Sequence, residues 1–145
     1  MALKDKKLPP GFKPDETLVA EINRLKEADG TISCAAALRL SVKAGVKPKE
    51  TGRSLDARSI PISRCQLGLF GYPGHAKGWE AAGPDEEFVS EGLSKALRTA
   101  AGPQKRISCL GLWEIAKNHR ISRMQAGLAA DRAGLKIIAC QLGAF

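Results

Sequence analysis

The sequence predicts a mainly α-helical protein with short β-strands, built as two tandem three-helix units related by pseudo-twofold symmetry. Three observations carry this expectation. First, Ile32-Ser33-Cys34 recurs as Ile107-Ser108-Cys109, and Cys65-Gln66-Leu67-Gly68-Leu69-Phe70 recurs as Cys140-Gln141-Leu142-Gly143-Ala144-Phe145, both at an offset of 75. The register between the two motifs is ungapped, and 11 of 39 positions over residues 32–70 are identical, among them Gly52/Gly127, Asp56/Asp131 and Ile62/Ile137. A tandem duplication accounts for this where chance does not. Second, apolar residues fall at helical spacing in both copies. Third, the remaining apolar runs are only a few residues long, enough for short strands.

The elements follow in order. Asp15, after Pro14, is the N-cap of a first helix with Leu18, Ile22 and Leu25 on one face and Gly30 as its stop. Its counterpart is expected to begin near Pro84-Asp85, to carry Val89, Leu93, Leu97 and Ala100, and to end at Gly102-Pro103. The short apolar bits Thr31-Ile32 and Arg106-Ile107 come next, and Ser33 and Ser108 then cap second helices running to about Ala44 and His119. After a tight turn, third helices cover roughly 48–58 and 122–133. Ile60-Pro61-Ile62 and Leu135-Lys136-Ile137-Ile138 read as short strands leading into the CQLG motif. The plan is a basic N-terminal tail (1–14), a first repeat (15–72), a linker (73–84) and a second repeat (85–145).

The run from Glu114 to Ala126 resembles the helix-turn-helix of bacterial and archaeal DNA-binding proteins. That pattern wants a small residue in the first helix (Ser41, Ala116) and a turn residue four positions on (Gly45, but Arg120 in the second copy). A branched apolar plug (Val46, Ile121) and a helix starter (Pro48, Ser122) complete it. With a helix before and a strand after, each copy resembles a winged helix-turn-helix with a reduced wing. The resemblance implies that the third helix reads the major groove. Its outward candidates are Lys47, Lys49, Arg53 and Arg58 in the first copy, and Ser122, Arg123, Gln125 and Arg132 in the second. Gly52 and Gly127 depart from a plain reading helix, where glycine costs about 1 kcal/mol, and imply close packing against another element. Asp56 and Asp131 would repel phosphate and are expected in an ion pair or a backbone hydrogen bond. Met124 and Leu128 are expected to face outward, as a protein-docking stripe would.

Charge and composition narrow the function. The net charge is +8, with +5 over residues 1–72, −3 over 73–88 and +6 over 89–145. Two basic blocks joined by an acidic connector suit a polyanionic partner. No membrane span or secretory leader is read, so the expected location is the cytoplasm. Nucleophile elbows, phosphate-binding glycine loops and paired carboxylates are absent, so no enzyme, catalytic residue or cofactor is expected. His75 and His119 stand alone. The four cysteines lack the close spacing of a zinc site, so no metal is expected. Cys34 with Cys65, and Cys109 with Cys140, each 31 residues apart, are candidate redox pairs, Cys34 and Cys109 lying at helix starts that favour thiolate, while buried inert thiols are the simpler reading. The expected function is double-stranded DNA binding in transcriptional regulation by an intrachain pseudo-dimer, as monomer or homodimer. The alternative is a protein-interaction or accessory module on the same fold, with a cysteine redox or metal site.

Overall fold

A computed structural model describes residues 8–82 and 85–145. Residues 1–7 of the basic tail, and Pro84 with Gly83 in the linker, lie outside the described residues. The chain is mainly helical with a few short strands. Its elements are α1 (Glu16–Leu25), β1 (Ile32–Ser33), α2 (Cys34–Ala44), α3 (Pro48–Ala57), β2 (Ile62–Ser63), α4 (Gly78–Ala82), α5 (Glu91–Ala101), β3 (Arg106–Ser108), α6 (Cys109–His119), α7 (Arg123–Arg132) and β4 (Lys136–Ile138). The order α1-β1-α2-α3-β2 thus recurs as α5-β3-α6-α7-β4.

Helix starts follow from local capping chemistry. The Asp15 carboxylate accepts from the Leu18 amide (3.0 Å), and the Ser33 and Ser108 hydroxyls accept from the amides of Ala36 (3.1 Å) and Gly111 (2.9 Å). α1 ends earlier than expected, at Leu25, because Lys26 is already extended. Gly30 lies in the turn beyond, where the Thr31 hydroxyl and then its amide bind the Asp29 carboxylate and hold its pKa below the usual range. α5 starts later than expected. Asp85 binds the Glu87 amide (2.9 Å) in a local turn, and Ser90 takes the cap by accepting from Leu93 (3.0 Å). Ser90 stands just ahead of the buried stripe Leu93, Leu97 and Ala101, whereas Val89 precedes the helix and is 39% exposed and Ala100 is exposed.

Two compact units result. Unit 1 comprises the chain up to Cys65 together with Gln141–Phe145, and unit 2 is Gln66–Cys140. In unit 1, Ile22, Ile32, Ala37, Leu40 and Leu55 form the core, and β1 pairs with β2 in parallel register, Ile32 opposite Ile62. In unit 2, Leu93, Leu97, Leu112, Ala126 and Leu128 do the same, and β3 pairs with β4, Ile107 opposite Ile137. The strand after each third helix is therefore one half of a parallel two-stranded ladder. The returning strand that leads to Cys65 or Cys140 thus lies beside the strand ending at Cys34 or Cys109, and no wing hairpin is found among the described residues. Positive-φ positions also recur at the same offset: Gly30/Lys105, Gly45/Arg120, Ser59/Gly134, Arg64/Ala139 and Gly68/Gly143.

The crossing of second and third helices differs chemically between units. In unit 1 the buried Ser41 hydroxyl donates to the Ala37 carbonyl (3.0 Å), leaving the Thr51 hydroxyl to donate to Ser41 (2.7 Å). Unit 2 has Ala116 and Ala126 at these positions, both buried. Ser41→Ala strands the buried Thr51 hydroxyl and is expected to cost about 1–3 kcal/mol in denaturant unfolding. Ser41→Ala with Thr51→Ala, the unit 2 pair, is expected to cost less than the two single changes summed. An additive double-mutant cycle would contradict this.

Candidate nucleic-acid interface

Each unit turns from its second to its third helix in the same way. Gly45 (φ 69°, ψ 28°) and Arg120 (φ 55°, ψ 42°) are left-handed C-caps, and the Val46 and Ile121 amides return to the Ser41 and Ala116 carbonyls, both at 3.0 Å. The small residue expected in the first helix of the pair is thus the acceptor that closes the turn. Arg120 takes the conformation that glycine takes in unit 1, at a cost of about 1–2 kcal/mol for a residue with a Cβ.

The recurring CQLG motif packs on the third helix. A Cβ added to Gly52 would fall on the carbonyl oxygen of Leu142, with the carbonyl carbon 2.8 Å away. A Cβ on Gly127 would fall on the carbonyl oxygen of Leu67. Leu67 and Leu142 are themselves almost fully buried. Glycine in these helices therefore admits a passing backbone, and the two separately noted repeats, the glycine and the CQLG motif, are two sides of one contact. The segment that serves unit 1 is the second copy's motif, and the segment that serves unit 2 is the first copy's.

In unit 2 this packing encloses α7. Ala126, Gly127, Leu128, Ala129 and Ala130 are all buried. Leu128 is 2% exposed, so it does not face outward as expected, because α7 is covered on both sides. Met124 is half-buried and lies against Gly68 and Gly78, beside Trp79, which is itself buried. Tyr72 and Trp79 thus pack within unit 2.

The sequence-derived contact residues fall into two groups. Lys47 and Lys49 are exposed at the start of α3, and neither has an ion-pair partner among the described residues. Arg53 reaches Glu50 (3.4 Å) and Arg58 reaches Glu16 (3.3 Å), both in solvent-exposed pairs that hold their partners weakly. In unit 2 the candidates have local duties. Ser122 and Gln125 form a reciprocal capping box, each side chain accepting from the other's amide at 3.0 and 2.9 Å. Arg123 lies over the Trp113 ring, 3.4 Å from its centroid, and donates to Gln66 (2.6 Å), which gives the motif glutamine of that unit a role in holding α7. Arg132 donates to Glu86 and Asp131, both at 3.2 Å, so Asp131 forms the ion pair expected of it. Trp113 is half-buried, its ring capped by Arg123.

All four cysteines are buried, between 6% and 8% exposed. Cys34 and Cys109 open α2 and α6, and Cys65 and Cys140 follow the strands paired ahead of them. Among the described residues, no group of three or more His, Cys, Asp or Glu is placed to hold a metal ion, and no helix is long and apolar enough to cross a membrane. Comparison of the chain with protein-family models, curated proteins and solved structures finds no match.

Two outcomes follow from this packing. Helix propensity alone would favour Gly→Ala by about 1 kcal/mol. At Gly52 and Gly127 the collision with a carbonyl is expected to reverse the sign, costing about 1–3 kcal/mol net in chemical unfolding. Gly92 in α5, whose nearest neighbour to an added Cβ is Ser90 Oγ at 3.9 Å, is the control and should gain stability on the same change. Separately, a thiol reagent should modify the four cysteines slowly in the native protein and at once in denaturant, because burial withholds the sulfur from attack. Rapid native labelling of any of them would contradict the burial.

Proposed function

We propose that the protein binds double-stranded DNA and acts as a transcriptional regulator, its two helix-turn-helix units serving as an intrachain pseudo-dimer without catalytic activity. The observation that carries this reading is the start of α3. Lys47 occupies the N-cap with no side-chain cap hydrogen bond, and Lys49 is in the first turn. Both positions work against stability: lysine is a poor cap, and cations at a helix N-terminus oppose the macrodipole. Unit 2 has Ser122 and Met124 at these positions and a complete capping box. Pro48 has no amide to offer and the Glu50 amide donates to the Lys47 carbonyl (2.9 Å), so it is the two exposed ammonium groups that form a surface suited to phosphate oxygens, at the first turn of the helix with which this motif meets a duplex.

On this reading the two units take unequal parts. Both third helices are buried at their middles, but the arginines of α7 are engaged within unit 2 while Lys47 and Lys49 at the start of α3 are exposed, which supports α3 as the principal helix contact. The alternative, a module that docks a protein, loses its outward apolar stripe, since Leu128 is buried. The two readings differ in salt response, since phosphate contacts weaken log K by about 0.9 per log unit of salt for each phosphate neutralised, whereas an apolar contact does not.

The test is a fluorescence-anisotropy titration of random and genomic duplexes between about 50 and 200 mM salt. Lys47→Ser is expected to raise stability by about 1 kcal/mol and reduce the salt slope by about 0.9. Lys47→Glu with Lys49→Glu is expected to lower affinity more steeply. No duplex binding at the lowest salt, or affinity unmoved by this charge reversal, refutes the reading.

A further inference from the structure

The exposed end of the β3–β4 ladder gathers three cations that unit 1 lacks. Arg106 and Lys136 are register partners on the parallel ladder and both are exposed. Two like charges therefore share one rung, which opposes strand pairing. The Lys105 carbonyl accepts from the Lys136 amide (2.8 Å), tying the three residues together through the backbone. Lys105 itself has φ 55°, in the left-handed region that disfavours any residue with a Cβ. At the matching positions unit 1 has Gly30, with φ 84°, followed by Thr31 and Pro61: the same turn of the backbone without charge. Among the described residues, no carboxylate pairs with Lys105, Arg106 or Lys136.

Strain at Lys105 and repulsion across the Arg106–Lys136 rung both act against folding, and no ion pair of these side chains among the described residues offsets them. Backbone outliers persist where the surrounding structure over-determines them, and they cluster at ligand-binding sites. A guanidinium and two ammonium groups on one edge are the donor set of a phosphate oxyanion. Unit 2 also needs such an edge more than unit 1 does, since Arg123 is held by Trp113 and Gln66 and α7 presents no lysine pair at its start. We propose that Lys105, Arg106 and Lys136 form a phosphate-binding site at the end of the β3–β4 ladder. Resting on the duplex-binding reading above, its ligand is a backbone phosphate of DNA.

The test uses the full chain and the triple variant Lys105→Gly, Arg106→Thr, Lys136→Gln. The first two changes restore the unit 1 residues, and glutamine keeps the amide that donates to residue 105. Two probes, a DNA duplex and inorganic tripolyphosphate, are titrated while the backbone amides are followed by NMR, and duplex affinity is measured against salt. The expected result is that the amides of residues 105, 106 and 136 shift with duplex, and that the triple variant lowers the salt slope by about 2.7, or about 0.9 for each cation removed. Lys105→Gly alone should raise Tm while weakening the duplex, a pairing of effects that a purely structural lysine would not show. Duplex binding with the same slope in the triple variant overturns the site and leaves the duplex reading standing. No duplex binding, but tripolyphosphate shifts at these amides that the variant abolishes, overturns the duplex reading and supports the site with a free phosphate anion as ligand. Absence of shifts with either probe overturns the site.

Discussion

A leucine carbonyl laid against a helical glycine organises each unit. Leu142 crosses α3 at Gly52, and Leu67 crosses α7 at Gly127, at a separation that admits no Cβ. The approach buries the motif leucines and seals the centre of the third helix, so a segment far away in sequence completes each core. Interiors packed at crystal-like density leave little room for a different residue at such a crossing. The constraint reaches function as well, because a third helix sealed at its middle can meet a large partner only through its ends.

What those ends carry has diverged between the units. Unit 2 has the better-built helix: a capping box at Ser122 and Gln125, alanines at the crossing, and an arginine laid across Trp113. Unit 1 has a lysine for a cap and a buried hydroxyl pair at the crossing. Unit 2 in turn accepts a lysine in a left-handed conformation and a cation opposite a cation on its ladder. Each unit thus has an exposed place where uncompensated positive charge is locally unfavourable. Local departures from stability-optimal choices of this kind are where binding is sought first.

The repeat, the capping serines, the second helices to their last residue and the strand positions were legible in the sequence, because each depends on interactions within a few residues or on a direct copy of them. Asp15, Ser33 and Ser108 cap helices wherever they stand ahead of an amphipathic run. Gly52 and Gly127 were legible as a close approach but not as an approach to anything in particular, since periodicity carries no information about which segment returns. Where the CQLG motif goes, why Leu128 is hidden and which arginines are already engaged were decided by the tertiary structure alone. These depend on groups brought together over tens of residues, such as Gln66 with Arg123 or Gly52 with Leu142. Side-chain chemistry sets what a residue can do next to its neighbours in the chain, but the packing of distant segments decides which of its faces is left for another molecule.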